Sequence, residues 1–553
     1  MIRLFEIPEL LCLICEQSQR SDLARLLTTS RLFFECAVPF VWRDLPESAP
    51  MILLKLLPNA DTYLDNRLNA TLVETQIQNL KPLDAQSLVR FNLYAAYVKR
   101  IIRHRRNKQS NVAWDRLLKL VDARPILPNL EILRISLSVA PYLKSISTHS
   151  AVSYLGPYLS PNLYEIDGTC DRDRYLYLEP QDLTQLISRI SLECPRLSSL
   201  KFRSMTGHTA TGPVNGLLAD SLGQLRYLRS IRLGLAVIDP EALTSLGTLP
   251  YLESLSLNES YPGSNDTPKT PSAPMPNASF AALRHLGISL RFDFKIGYHI
   301  WGITALVRRL TSVSLRVFGY TTRTGICDFI NTIHRSSPLV TSLYIDCTNS
   351  LPIALLSSRV IRTLNQLPLQ HLRLSGKDGP EGRYGGGERS RLRFPHMECL
   401  QIRGYDFSFR HLASMTKYMP RLQYLSVPVK LDVNWPPKHE LPSTRVHLTP
   451  SPSQLELHIL SDGTTPRYST MARCEIPDEE IEVIAAGLHA LWPSGVTCTT
   501  YRRSHKDSEV SWTDRVNAEL KQLRETDAFS LPQTEVTPRK HFGKRIPSWL
   551  EQV

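Results

Sequence analysis

The feature that most constrains this chain is a hydrophobic ladder, in its fullest form Pro-x-Leu-x-x-Leu-x-Leu, that returns repeatedly between Pro128 and Val427. Its clearest rungs are Pro128/Leu130/Leu133/Ile135, Pro195/Leu197/Leu200/Phe202, Pro250/Leu252/Leu255/Leu257, Pro338/Val340/Leu343/Ile345, Pro395/Met397/Leu400/Ile402 and Pro420/Leu422/Leu425/Val427. Weaker rungs fall between them at Ile166, Ile231, Leu286, Val313 and Leu372. Taking one equivalent position per rung, the series runs 133, 166, 200, 231, 255, 286, 313, 343, 372, 400, 425, with gaps of 24 to 34 residues. A period of that length is the signature of a solenoid.

A short strand with alternating apolar residues cannot bury its inner face alone, so each unit needs a neighbour on either side. Between the rungs lie stretches of helical period. Pro180 to Glu193 carries Leu183, Leu186, Ile187 and Ile190 on one face, and Phe407 to Tyr418 is a second such stretch, each followed by the next proline. Stacked strands sit about 4.7 Å apart and a helix is about 10 Å across, so strand–helix units must bend with the strands inside. The expected fold is α/β: an irregular leucine-rich-repeat solenoid, or horseshoe, in preference to a doubly wound sheet.

Residues 126–430 are expected to hold the repeats, and 46–125 a helical linker or solenoid cap whose main helix covers Ser87 to Ile102. Residues 431–500 read as a last repeat and C-terminal cap, with a helix over Asp478 to Leu491 and a strand over Gly495 to Thr500. The proline-rich Tyr261 to Asn277 and the glycine-rich Gly376 to Arg393 read as loops. Residues 501–553 read as a basic, charged and partly disordered tail with one helical stretch, Asp514 to Glu525. Lys99-Arg100, Arg103 to Arg106 and Lys108 form a basic cluster, read as a solvated helix end in preference to a nucleic-acid contact or import signal.

The N-terminus carries a second pattern: Ile7-Pro8-Glu9-Leu10-Leu11, Ile14, Asp22-Leu23, Leu26, Ser30-Arg31, Phe33-Phe34, and Val41-Trp42-Arg43-Asp44-Leu45. Pro8 suits a first helical turn, where its missing N–H costs nothing, and Leu10, Leu11 and Ile14 then form an apolar stripe. Asp22 is expected to cap the free amides of a second helix. So small a bundle cannot bury all these groups by itself. Cys12 and Cys15 form a C-x-x-C that lacks the second pair or the histidines of a zinc site and the βαβ setting of a redox pair, so both are read as packing residues.

In order and spacing, residues 1–45 resemble an F-box, and a following array of leucine-rich repeats fits the same fungal-type F-box family. The resemblance implies a three-helix unit that docks a Skp-type adaptor, and through it a cullin/RING assembly of the SCF ubiquitin-ligase type. Ile7, Pro8, Leu10, Leu11, Ile14 and Leu23 are the residues it implies to touch or support that adaptor. Ser18 stands where the family carries a bulky apolar residue, a contact worth about 1.5 to 3 kcal/mol if made.

On each repeat strand, side chains alternate, so the residues flanking the buried ladder positions must share the concave face. They include Arg134, Lys201, Arg203, Arg232, Arg316, Arg373 and Arg403 against Glu165, Asp167 and Asp346, with Tyr344, Tyr424, His285 and His371 interleaved. The expectation is that this face binds an acidic or phosphorylated segment of a protein substrate, with Arg134, Lys201, Arg203, Arg232, Arg316, Tyr344, Arg373 and Arg403 as the contact residues. The net charge of +13 points the same way and would equally serve a non-ligase scaffold that binds protein or nucleic acid.

Ten cysteines scattered singly along the chain, together with no readable signal peptide, fit a reducing compartment, cytoplasmic or nuclear. No apolar run is long enough to cross a membrane. No G-x-S-x-G, H-E-x-x-H or phosphate loop is present, and no cofactor, metal site or catalytic residue is expected. In the resembled assembly, transfer chemistry belongs to other subunits.

Overall fold

The computed structural model describes residues 7–46, 48–64, 80–105, 116–121, 125–136, 155–168, 177–178, 180–204, 215–234, 240–258, 275–291, 294–318, 323–347, 355–376, 392–403, 407–429, 451, 454–459, 478–500 and 512–528. Most of the two expected loops, the side chains of Arg103 to Arg105, all of Arg106 and Lys108, and much of the tail lie outside the described residues. The chain divides into two compact units, Met1–Leu283 and Arg284–Val553.

The first unit opens with three helices, α1 (Pro8–Gln17), α2 (Arg20–Leu26) and α3 (Arg31–Arg43). Pro8 occupies the first turn of α1, and the helix stops where the Ser18 hydroxyl folds back to donate to the Ile14 carbonyl at 2.7 Å. Ser18 is therefore a helix terminator here. Helix α2 begins at Arg20, which leaves Asp22 inside the first turn with no capping bond, contrary to the sequence expectation. The Ser30 hydroxyl caps α3 by accepting from the Phe33 amide at 3.2 Å. Leu11, Cys15, Leu23, Cys36 and Ala37 form the small core of this bundle.

Helix α3 runs directly into a sheet. The strands of the first unit are β1 (Asp44–Leu45), β2 (Arg100–Arg105), β3 (Ile132–Ser136), β4 (Glu165–Asp167), β5 (Tyr177–Leu178), β6 (Ser199–Lys201), β7 (Arg203–Ser204), β8 (Ser230–Gly234) and β9 (Ser254–Asn258). All pair in parallel, with β5 and β7 as a separate pair. Register places Leu45, Ile101, Leu133, Ile166, Leu200, Ile231 and Leu255 opposite one another in turn. Each is 2% exposed or less. The helix expected over Ser87 to Ile102 ends at Ala95, and the basic cluster continues as strand β2. Ile101 is a buried rung, which only an extended backbone can supply at that place.

The second unit repeats the plan with β10 (His285–Arg291), β11 (Ser312–Phe318), β12 (Ser342–Asp346), β13 (His371–Ser375), β14 (Cys399–Arg403), β15 (Tyr424–Val427), β16 (Leu455–Ile459) and β17 (Val496–Thr500). Leu286, Val313, Leu343, Leu372, Leu400, Leu425, Leu457 and Cys498 align in register, again 2% exposed or less. The parallel, helix-backed repeat anticipated from the ladder is what forms. Helix Pro180–Glu193 buries Leu183, Leu186, Ile187 and Ile190, and Arg323–Ser336 buries Ile326, Phe329, Ile330 and Ile333.

The ladder prolines have a turn role. In several units the residue before the proline accepts from the amide two positions after it, as Cys194 does from Leu197 at 3.1 Å, Ser337 from Val340 at 3.2 Å and Met419 from Leu422 at 3.1 Å. Proline's fixed φ suits the second position of such a turn, so it ends one helix and launches the next strand. One carbonyl then receives two amides of the following unit: Tyr164 from Ser198 and Ser199, Thr311 from Thr341 and Ser342, Gln370 from Glu398 and Cys399. This shared acceptor staples neighbouring units, and in the first unit Asn162 adds to it by donating to Asn129 Oδ1 and the Pro128 carbonyl, each at 3.3 Å.

The helical stretch expected over Asp514 to Glu525 forms as a helix, Trp512–Ala528, that buries Val516 and Leu520 next to β17. Asn517 accepts from the Cys498 amide at 2.7 Å and donates to the Cys498 carbonyl at 2.8 Å, so among the described residues its side-chain amide takes the place a next strand would fill. Among the described residues, no helix is long and apolar enough to cross a membrane.

Candidate interaction surfaces

Two surfaces correspond to the two sequence patterns. On the helical unit, the residues named from the sequence separate into core and surface. Leu11 and Leu23 are buried in the bundle, so they shape it from within. Ile7 and Leu10 are half-buried, Pro8 is exposed, and Ile14 is 39% exposed. Leu13, which is not among the residues named from the sequence, is 59% exposed. At 3.6 residues per turn, Leu10, Leu13 and Ile14 share one face of α1, while Leu11 and Cys15 share another. Helix α1 is thus apolar on two sides, and only one finds cover within the bundle. Leu13 was missed because alternation cannot say which apolar side faces inward.

The thiols of this bundle are quiet. Cys36 donates to the Pro8 carbonyl at 3.7 Å, and burial, with a hydrogen bond to Cys12, pushes its pKa up to about 11. Burial raises Cys15 as well. Both stay protonated at neutral pH, as suits packing groups. Among the described residues, no group of three or more potential ligands is placed to hold a metal ion.

On the sheet face, three of the seven basic residues named from sequence lie beside the three acids counted against them. Arg134 Nε lies 2.8 Å from Glu165 Oε1, Lys201 Nζ 3.6 Å from Asp167 Oδ2, and Arg316 Nε 3.7 Å from Asp346 Oδ2. The pairs join adjacent strands, because register sets Arg134 beside Asp167 and Arg316 beside Asp346. Arg134, Lys201 and Arg316 are thereby paired to acids of neighbouring strands. The basic cluster behaves alike, with Lys99 on Glu131 at 2.8 Å and Arg100 near Asp44 at 3.7 Å.

Tyr344, expected as an exposed contact, is 2% exposed. Its hydroxyl donates to Asp346 Oδ2 at 3.0 Å, and its ring lies under the Arg373 guanidinium at 4.7 Å. Burial first, and then the Asp346 charge, push the phenol up to about 12. Tyr344 therefore orients Arg373 and Asp346. Arg232 and Arg373 are half-buried and Arg403 is exposed, while the side chain of Arg203 lies outside the described residues. His371 and Arg373 line a depression with Ser342, Leu343, Leu372, Cys399 and Gln401, and Ser342 Oγ is 3.1 Å from His371 Nδ1.

No family model and no curated protein matches this sequence. Among solved structures, the chain is similar to one in the crystal structure of the Rad7 and Elc1 complex in yeast, with 13% sequence identity and a TM-score of 0.29 over 59% of this chain and 77% of that one.

Proposed function

We propose that this chain is the substrate-recruiting subunit of an SCF-type ubiquitin ligase, with residues 1–45 acting as an F-box that docks a Skp-type adaptor and the leucine-rich repeats binding a protein substrate. The chain itself is non-catalytic in this reading. Its contribution is proximity, holding substrate near a ubiquitin carrier brought by cullin and RING subunits. The observation that carries the proposal is the uncovered stripe Leu10, Leu13 and Ile14 on a helix whose opposite side already closes the bundle. Burying an exposed leucine or isoleucine is worth about 1.5 to 3 kcal/mol, so the stripe favours a partner. The alternative of a nucleic-acid scaffold is weakened, since Arg134, Lys201 and Arg316 are committed to carboxylates.

Co-purification of the full chain with a Skp-type adaptor tests the reading. Leu13→Asp with Ile14→Asp should abolish capture while leaving the melting midpoint within a few degrees, because both side chains lie outside the core. Leu11→Asp would unfold the bundle and is the wrong probe. If the double variant retains the adaptor as the wild type does, the assignment of this stripe is refuted.

A further inference from the structure

We infer that the edge of the first unit at which strands β6, β8 and β9 begin docks an acidic segment of a partner protein. The inference rests on the reading that the repeats bind a protein, and it moves the contact from the strand face to the turns. Strands β3, β4, β6, β8 and β9 are consecutive neighbours in the sheet. Four positions before each buried rung, the turns that enter them carry Asn129, Asn162, Arg196, Tyr227 and Tyr251 in that order. The two asparagines bond to the neighbouring unit, Asn129 donating to the Ala96 carbonyl at 2.8 Å and Asn162 to the Pro128 carbonyl at 3.3 Å. The next three residues are exposed, the tyrosines by 58% and 49%.

Tyr227 and Tyr251 stack on one another, with ring centroids 6.4 Å apart and planes 6° from parallel. Register between β8 and β9 sets their turns side by side, so the rings form one aromatic shelf before any partner arrives, and little freedom remains to be lost on binding. The surrounding charge is positive. Glu193 and Glu253, the acids next to two of these turns, already have cations of their own: Glu193 Oε1 lies 2.7 Å from Arg189 Nη2, and Glu253 Oε1 lies 3.4 Å from Arg229 Nη1. Arg196 and Arg226 are exposed, and among the described residues neither has a carboxylate partner. Tyrosine and arginine are the residue types that dominate binding energy at protein interfaces, the ring covering apolar side chains and the guanidinium pairing with carboxylates. Charge complementarity then selects an acidic segment. The net charge of +13 opposes a second copy of this chain as the occupant. A nucleic-acid strand fits less well, because strands are held through many phosphate contacts and two arginines supply few. Each ring also covers one face of the other, which leaves fewer faces for bases.

The test uses the purified full-length chain and two immobilised degenerate dodecapeptide pools, with the central positions fixed as Asp-Leu-Asp-Leu or Asn-Leu-Asn-Leu. The aspartate pool should retain the chain tenfold or more over the asparagine pool. Tyr227→Ser with Tyr251→Ser, and separately Arg196→Gln with Arg226→Gln, should each remove most of that preference. Arg410→Gln with Arg421→Gln, at exposed positions of the second unit, lowers the net charge equally and should leave the preference unchanged. Should the tyrosine pair lower the melting midpoint, the arginine pair decides. Equal retention by both pools, a preference that survives both edge variants, or one that falls as far in the Arg410 and Arg421 control overturns the site. An oligouridylate bound by the wild type and lost in both edge variants, or a dimer in sedimentation that both variants dissociate, identifies a different occupant and also overturns it. Adaptor capture is read separately: a chain that binds the Skp-type adaptor without any pool preference refutes this edge alone. A pool preference without adaptor capture refutes the recruiting role alone.

Discussion

Replacing Asn517 with leucine should uncap the final strand of the array. The wild-type side chain satisfies both backbone groups of Cys498, at 2.7 and 2.8 Å, in place of a further strand. Leucine removes both partners, and a buried donor or acceptor left unsatisfied costs about 1 to 3 kcal/mol, so two cost about 2 to 6 kcal/mol. Asn517 is half-buried, which lets water recover part of this and places the expected loss near the lower end. Asn517→Asp is the informative companion: it keeps the acceptor for the Cys498 amide but sets a carboxylate oxygen against the Cys498 carbonyl, so it should also destabilise. Stacked repeats open from their ends, and hydrogen exchange should therefore show early loss of protection over 496–500 with little change at β10 to β13. Exchange and urea unfolding of Asn517→Leu indistinguishable from wild type would refute the claim that a side chain serves as the last strand.

Other outcomes follow from the same geometry. Ile231→Ala, at a rung with no exposure, should cost about 2 to 5 kcal/mol in urea unfolding. Gly297→Ala should cost about 1 to 3 kcal/mol, read from the melting midpoint, since an added Cβ would lie 2.6 Å from the Phe329 ring. Burial pushes the thiols of Cys194, Cys399 and Cys498 up to about 12, from the ordinary value of 9.0 that they keep in the unfolded chain. Their contribution to stability is fully present below pH 9 and is lost as pH rises through 12, so the urea midpoint should begin to fall above pH 9 and fall less in Cys399→Ala. A midpoint flat from pH 8 to 10.5 would contradict that linkage.

How far the chain could be read without coordinates depended on the kind of information each feature needs. Every rung position inferred from Leu133 to Leu425 is buried, and helix Pro180–Glu193 has the bounds that its apolar period and the following proline implied. These features were legible because apolar spacing along a short segment determines which backbone conformation can hide it. Leu457 and Cys498 extend the same ladder with Pro452 and Pro493 five residues before them, whereas Leu45 and Ile101 extend it without that proline, and Ile101 sits among residues of helical pattern. Leu45 and Ile101 became rungs only through pairing with neighbours.

Charges show the division most plainly. Composition along the strands named Arg134, Lys201 and Arg316 as basic and Glu165, Asp167 and Asp346 as acidic, but whether a cation is free depends on what stands beside it. Those partners are about thirty residues away in the chain, and only strand register brings them together. The same holds for Leu13, whose exposure depends on which side of α1 meets α2 and α3, and for Asn517, whose amide has meaning only against the open edge of β17. Local periodicity determined the repeating strand–helix plan, because burying an apolar stripe is a property of a segment. Tertiary structure decided which charges, apolar faces and strand edges remain available to a partner, because availability is a property of neighbours distant in sequence.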